Sequence, residues 1–226
     1  MVAVATDSQL RHVVRRLVRR YAPPPSRRPA DLAGNRTVPD LPPLAVLPMG
    51  PASRDLVAQL GLPRDPAEVA AAALDGTIRR LDLLRTDAGS VTLDGALVGG
   101  RTQGQPGTWR GRVEVDDAVL TDGEEQVLAC AVGNAGGYAE IDGLPLLEGA
   151  DPASGRIEVA IAVPVVSRTL FGKAKVRVEV RRARGRAVAV LPRDEQVPFL
   201  DDGVAGTLTR KRSWWIEPGA WAVYTR

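Results

Sequence analysis

The chain holds one cysteine, Cys130, and one histidine, His12, in 226 residues. A single thiol excludes an intramolecular disulfide and any metal site built from several cysteines. The two residues are far apart in sequence, and no His or Cys pair has zinc spacing. Neither a Cys–His nor a Ser–His–Asp nucleophile system is therefore nominated, and no metal site is expected. No run of about 18 apolar residues occurs, so no helix is expected to span a bilayer. Met1 leads directly into an apolar stretch without a basic segment and cleavage site, so no signal peptide is expected. A reducing, cytoplasmic setting suits the lone thiol. Charge excess is also small: 30 basic against 27 acidic residues leave +3. That is too little to argue for nucleic acid, which is not expected as a partner.

Apolar residues make up 44% and charged residues 25%, the composition of a globular chain with a real core. The length suits one generous domain or two small ones. Val2-Ala3-Val4-Ala5 reads as a buried strand, and Thr6, Asp7 or Ser8 can cap the helix that follows. Leu10, Val13, Val14, Leu17, Val18 and Tyr21 then form one apolar stripe at helical period. Arg15, Arg16, Arg19 and Arg20 occupy the rest of that surface. They read either as a solvated helix face or as a patch for anionic lipid or phosphate, extended by Arg27 and Arg28. His12, near the edge of the stripe, reads as a packing residue. Residues 22–43 contain seven prolines and read as an extended linker or surface loop outside the core.

Leu44 to Leu47 is an apolar run that meets Pro48 and Gly50, and Ser53 opens a helical pattern. This is a strand feeding a loop and a helix, where α/β folds place phosphate sites. The loop Gly50-Pro51-Ala52-Ser53-Arg54-Asp55 has one glycine and no P-loop lysine. Asp65 with Pro66 starts a further helix, which Asp75-Gly76 ends. From Thr77 onward the period is that of short strands, separated by turns such as Asp94-Gly95, Asp122-Gly123 and Asp202-Gly203. A hairpin is expected from Val176–Val180 and Ala187–Val190 around Arg184-Gly185. Cys130 lies in an apolar strand as a small core residue. Trp214 and Trp215 are adjacent, so in a strand they face opposite sides; basic residues 210–212 beside them suggest either core or membrane interface.

These residues resemble the diacylglycerol kinase catalytic-domain superfamily of bacterial and sphingosine-type lipid kinases. Val2–Leu10 is similar to the family's strand ending in G-G-D-G-T. Leu44–Leu62 is similar to its strand-loop-helix around G-T-x-N-D, leading into Leu60-Gly-Leu-Pro-Arg-Asp-Pro66. Arg80–Leu83 resembles the crossing into its second domain, and Gln126–Tyr138 and Leu147–Val159 resemble strands of its β-sandwich. Val197–Val204 looks like the late loop carrying D-G-E, and Pro218-Gly219-Ala220 like the segment before the last strand. The resemblance implies an α+β fold. A truncated α/β nucleotide-domain remnant over residues 1–79 precedes an antiparallel β-sandwich over residues 80–226, with the last strand able to return to the first domain.

In such kinases ATP phosphates lie on the G-G-D-G-T loop with magnesium, and a lipid hydroxyl is phosphorylated. Here the phosphate-loop positions fall on Thr6, Asp7, Ser8, Gly50 and Ser53, with Asp7 kept and the first loop's glycines gone. Arg54 stands where the family has asparagine, and Val204 stands where it has glutamate. Valine neither takes a proton nor holds a metal, and a general base commonly contributes about 10²–10⁴-fold. The expectation is a degenerate lipid-kinase-like protein without ATP-dependent activity, needing no cofactor, that binds a lipid or apolar small molecule in the interdomain cleft. Asp7, Asp55 and Asp202 are the catalytic candidates, and Asn134 and Asp202 the cleft candidates. A repurposed enzyme acting on an apolar metabolite without ATP is the alternative. An atypical active kinase using ATP and magnesium is the third. Peripheral membrane contact and a homodimer are the partner expectations.

Overall fold

Thr6 sits in extended conformation and caps helix α1 (Asp7–Tyr21). Its Oγ1 accepts the Gln9 N–H at 3.3 Å, while Gln9 Oε1 accepts the Ala5 N–H at 2.7 Å. This reciprocal arrangement resembles a capping box and fixes the start of the helix. The apolar stripe faces inward as its period requires: Leu10, Val14 and Val18 are buried, with Val13 and Leu17 packed beside them. Tyr21, the last member, instead stands 41% exposed. These coordinates are a computed structural model, which describes residues 1–32, 36–50, 55–102, 105–138, 140–141, 143–167 and 175–226. Strand Val2–Val4 pairs in parallel with Val46–Pro48, Val2 opposite Val46, and α1 lies in the connection between them. Asp55 caps α2 (Leu56–Gln59), and Asp65, with Pro66 in the first turn, caps α3 (Pro66–Asp75).

The remainder is mostly antiparallel strand, an α+β arrangement. One six-stranded sheet runs in the order Lys175–Gly185, Ile157–Ser167, Ala129–Gly133, Gly95–Gly99, Val197–Asp201, Val204–Leu208. The other runs Val91–Thr92, Thr77–Thr86, Arg212–Thr225, Ala187–Pro192, Gly111–Val115, Ala118–Asp122. Alternation sends Cys130, Val132, Val159 and Ile161 of the first sheet against Val113, Val188, Val190 and Trp214 of the second in one apolar cluster. On the outer face of the first sheet Ala129, Ala131, Ala160 and Ala162 leave room for Leu146 and Leu147 to cover them. Burial pushes the Cys130 thiol up to about 12, so it is an inert core residue. Trp214 is fully buried, whereas Trp215 lies on the opposite side beneath the Arg85 guanidinium.

Two expectations from sequence are corrected. Lys175–Gly185 and Ala187–Pro192 do not form a hairpin: the first pairs with Ile157–Ser167 and the second with Arg212–Thr225 and Gly111–Val115. The chain passes between sheets at Gly185, where a Cβ would lie 2.6 Å from Asp116 Oδ2. The Asp116 carboxylate accepts the N–H groups of Arg186 and Ala187 and so holds the crossing. The proline-rich segment is also not merely a surface loop, because Val38 and Leu41 are buried in the core against α1. Glu217, fully buried at a bulge in the last strand, anchors it. That carboxylate accepts the Thr37 and Val38 N–H groups, the Thr37 hydroxyl and the Trp215 indole N–H.

The last strand serves both cores. Trp214 and Ile216 belong to the sandwich cluster, while Trp221 and Val223 pack with Val4, Leu10, Val14 and Leu44. Leu41 and Leu44 donate to the carbonyls of Ala220 and Ala222, and Tyr224 donates to that of Leu44. The chain leading into Val46–Pro48 is thereby stitched to the end of the second sheet.

Candidate functional site

Asp7 stands at the first helical position of α1, half-buried, and its Oδ1 accepts the Leu56 N–H at 3.0 Å. This bond ties the start of α1 to the start of α2. Asp55 accepts the Ala58 N–H at 2.8 Å, and both its oxygens face Arg64 Nη1, at 2.9 and 3.0 Å. Arg64 also reaches the Gly50 carbonyl. A Cβ on Gly50 would lie 2.8 Å from the Ala5 carbonyl oxygen, so only glycine permits this approach of the two loops. The loop of Thr6, Asp7 and Ser8 and that of Gly50 and Asp55 thus lie against each other; Ser53 and Arg54 lie outside the described residues.

A further carboxylate, Asp94, joins them from the β part and was read in the sequence only as a turn residue. Its Oδ2 accepts from Gln59 Nε2 at 3.1 Å and its Oδ1 from the Gly137 N–H at 2.9 Å. Gly137 has no room for a side chain, since a Cβ would fall 1.8 Å from Asp94 Oδ2. Burial raises the pKa of Asp94. Burial also raises that of Asp7, opposed by the Leu56 N–H and reinforced by the charges of Asp94 and Asp55. Asp55 moves the other way: burial pushes it up, but Arg64 and the Ala58 N–H outweigh burial and hold it below the usual range. The site is therefore two electrostatically linked carboxyls, Asp7 and Asp94, that resist ionisation, beside a third that is neutralised by arginine.

Asp202 is placed differently. It is 1% exposed, and its oxygens accept the N–H groups of Leu93, Asp94 and Gly95 at 2.8, 2.9 and 3.1 Å. With Gly203 it makes the two-residue hairpin turn, at φ +46° and +77°. Burial, together with the adjacent Asp201 charge, pushes its carboxyl up to about 8. Asp202 is thus buried and holds the backbone that presents Asp94. Asn134, 1% exposed, donates its amide to the carbonyls of Asp82 and Leu93, which is likewise a scaffold role. Tyr138 Oη accepts the Gly203 N–H at 2.6 Å, and burial followed by the charges of Asp202 and Asp94 raises its pKa.

Arg11, indistinguishable in sequence from its neighbours, secures α1 to this frame. Its guanidinium donates to the carbonyls of Val91 and Asp201, to Ser90 Oγ and to Asp201 Oδ2. Thr92 Oγ1 donates to the other Asp201 oxygen. Arg15, Arg16, Arg19 and Arg20 lie two to four turns further along α1 and take no part in the carboxylate group.

Three N–H groups around the start of α1 are engaged internally: Gln9 and Leu10 donate to the Thr6 carbonyl, and Ala5 donates to Gln9 Oε1. Among the described residues no group of three or more His, Cys, Asp or Glu is placed to hold a metal ion. Surface depressions of 470 and 380 Å³ lie elsewhere, lined in part by Glu158 and Arg182 and by Glu125 and Arg181, while one of 420 Å³, lined in part by Arg79, borders the group at Arg64.

No protein-family model matches the chain, and no curated protein matches it. Among solved structures, a protein assigned as a diacylglycerol kinase from Bacillus anthracis str. Sterne superposes with a TM-score of 0.59. The match covers 82% of this chain and 68% of that one, at 16% identity. The chain has the diacylglycerol-kinase-like fold. An NAD kinase from Archaeoglobus fulgidus, solved in complex with ATP, matches more loosely. Its TM-score is 0.49 over 86% of this chain and 73% of its own, at 16% identity. At such identities the likeness is one of fold, and the chemistry must be argued from the side chains.

Proposed function

We propose that this chain keeps the lipid-kinase fold but binds a lipid or apolar small molecule beside Asp7 and Asp94, without using ATP. The observation that carries this reading is the state of the α1 start. A triphosphate needs free N–H groups and positive potential there. The N–H groups of Ala5, Gln9 and Leu10 are satisfied internally, and the carboxyls of Asp7 and Asp94 offer a phosphate no positive potential. Leu56, whose N–H bonds Asp7, and Leu93, which precedes Asp94, belong with Ala135 to one apolar cluster and favour an uncharged occupant. On this reading the parallel strand pair with α1 is a reduced nucleotide domain.

Two carboxyls with raised pKa values favour one variation, in which the bound molecule is also converted. Carboxyls whose protons are retained by burial suit general acid–base work, so an apolar substrate bearing a hydroxyl or carbonyl could be turned over without ATP.

The test is a thermal-shift titration with ATP and magnesium, followed by native mass spectrometry with a panel of lipids and polycyclic metabolites. A nucleotide site filled to 100 times its Kd would add about 2.7 kcal/mol, roughly 5–10 °C for a chain of this size. No such shift is expected, while a panel member is expected to be retained and to be lost on Asp94→Leu. A mass change in the retained compound would select the converting variation. An ATP–magnesium shift abolished by Asp7→Asn would overturn the proposal and restore the atypical kinase.

A further inference from the structure

Arginine is used in two ways in this molecule. Arg11, Arg36, Arg64, Arg80, Arg85 and Arg181, among others, sit against carboxylates. Arg15, Arg16, Arg19, Arg20, Arg27 and Arg28 make no ion pair among the described residues. All six lie on the later part of α1 and the short turn Pro25–Arg27 that follows it. Six positive charges therefore lie within residues 15–28 of a chain whose formal sum is only +3, and the rest of the protein is net negative.

The dipole of α1 accounts for Arg19 and Arg20, which lie in its last turn. It does not account for Arg15 and Arg16. These stand one turn before Arg19 and Arg20, where like charges at i and i+4 repel by a few tenths of a kcal/mol per pair. The Arg15 guanidinium, pressed by partial burial and by Arg19 and Arg11, has among the described residues the Gly89 carbonyl as its one hydrogen-bond partner. A row of uncompensated like charges that weakens its own helix calls for an external anion. Tyr21, 41% exposed under the Arg20 guanidinium, adds an aromatic ring at the edge of the patch. A ring with a polar tip beside arginines suits the headgroup level of a bilayer.

We infer that the face of α1 carrying Arg15, Arg16, Arg19 and Arg20, continued by Arg27 and Arg28, docks the protein on anionic phospholipid surfaces. A bilayer is favoured over nucleic acid because a plane meets the patch alone. A long polyanion following the surface would meet the net negative remainder. The inference is independent of what the Asp7–Asp94 site binds.

The experiment is vesicle co-sedimentation of the full chain, with phosphatidylcholine alone and with phosphatidylserine added, at low and at high salt. Binding is expected only with phosphatidylserine and is expected to fall as salt rises. Replacing Arg15, Arg16, Arg19 and Arg20 together by Gln should lower the partition coefficient on the order of several hundred-fold, at about fivefold per arginine near the surface. Gln is a good helix former, so α1 is expected to survive, with circular dichroism as the check. Arg16→Gln with Arg20→Gln, both exposed, gives a milder variant with an expected loss of about 25-fold. A control replaces Arg110, Arg156, Arg177 and Arg186 by Gln, four exposed arginines elsewhere that also lack ion pairs.

Binding that survives the α1 replacements overturns the inference. So does an equal loss in the control, which would make net charge the cause. Equal binding to phosphatidylcholine alone overturns it as well. Tighter binding of a fluorescent single-stranded oligonucleotide than of the vesicles, lost in the α1 variant, would assign the patch to nucleic acid instead.

Discussion

Replacing Arg11 by Leu removes the cation that holds α1, and with it Asp7, against the sandwich. Arg11 is 13% exposed in its side chain, and the carboxylates of Asp201 and Asp202 are 2% and 1% exposed. The substitution removes the partner of a buried ion pair and leaves the other charge uncompensated, which typically destabilises by about 3–5 kcal/mol. For a chain of this size that is a fall of roughly 6–20 °C in Tm. The loss should depend on pH. The Asp202 carboxyl stands at about 8 in the folded protein against an ordinary 3.8, and Asp201 is raised as well. The folded state therefore holds these protons more tightly than the unfolded chain. The pair contributes most to stability below about pH 4, and that contribution declines as pH rises towards 8. Arg11 lowers both carboxyls, so its removal raises them further. The deficit of the variant should accordingly be largest at pH 8 and shrink towards pH 5, where protonation relieves the unpaired charge. Adding Asp202→Asn to Arg11→Leu should recover part of the loss at pH 8. Urea denaturation of all three proteins at both pH values provides the measurement. A variant within about 1 kcal/mol of the parent at pH 8, or one more impaired at pH 5 than at pH 8, would refute the reasoning.

Glu217→Ala should destabilise by about 3–5 kcal/mol, because the donors of Thr37, Val38 and Trp215 lose a fully buried charged acceptor. Limited proteolysis by trypsin after Arg27 should accelerate in step, since that bond network holds the proline-rich segment down. Gly137→Ala forces a methyl group onto Asp94 Oδ2 and should lose about 1–3 kcal/mol. It should also abolish retention of any compound that depends on Asp94, read by native mass spectrometry.

What could be read from the sequence was whatever local chemistry decides. The stripe from Leu10 to Val18 has a period that only a helix buries, and Asp202-Gly203 tolerates the positive φ of a tight hairpin. The order of strands and loops was enough to suggest the fold that the solved structures share. The site was half legible. Asp7 and Asp55 stand beside recognisable loops, whereas Asp94 owes its place to Gln59, 35 positions earlier, and Gly137, 43 positions later. Arg11 looks like any other arginine of α1 until the chain brings Asp201 to it from 190 positions away. The passage between sheets at Gly185 was misread as a hairpin because a glycine beside an arginine gives the same local signal for both. Asp116, which distinguishes the two, is 70 positions distant.

The final strand, Arg212–Thr225, is the interior neighbour of Thr77–Thr86 and Ala187–Pro192, and residues 41–44 lean on its far end. The opening third of the chain thus borrows its footing from a strand more than a hundred positions further along it. Heating should melt helix, parallel pair and sandwich in a single step, and neither portion should be obtainable as an autonomous fragment.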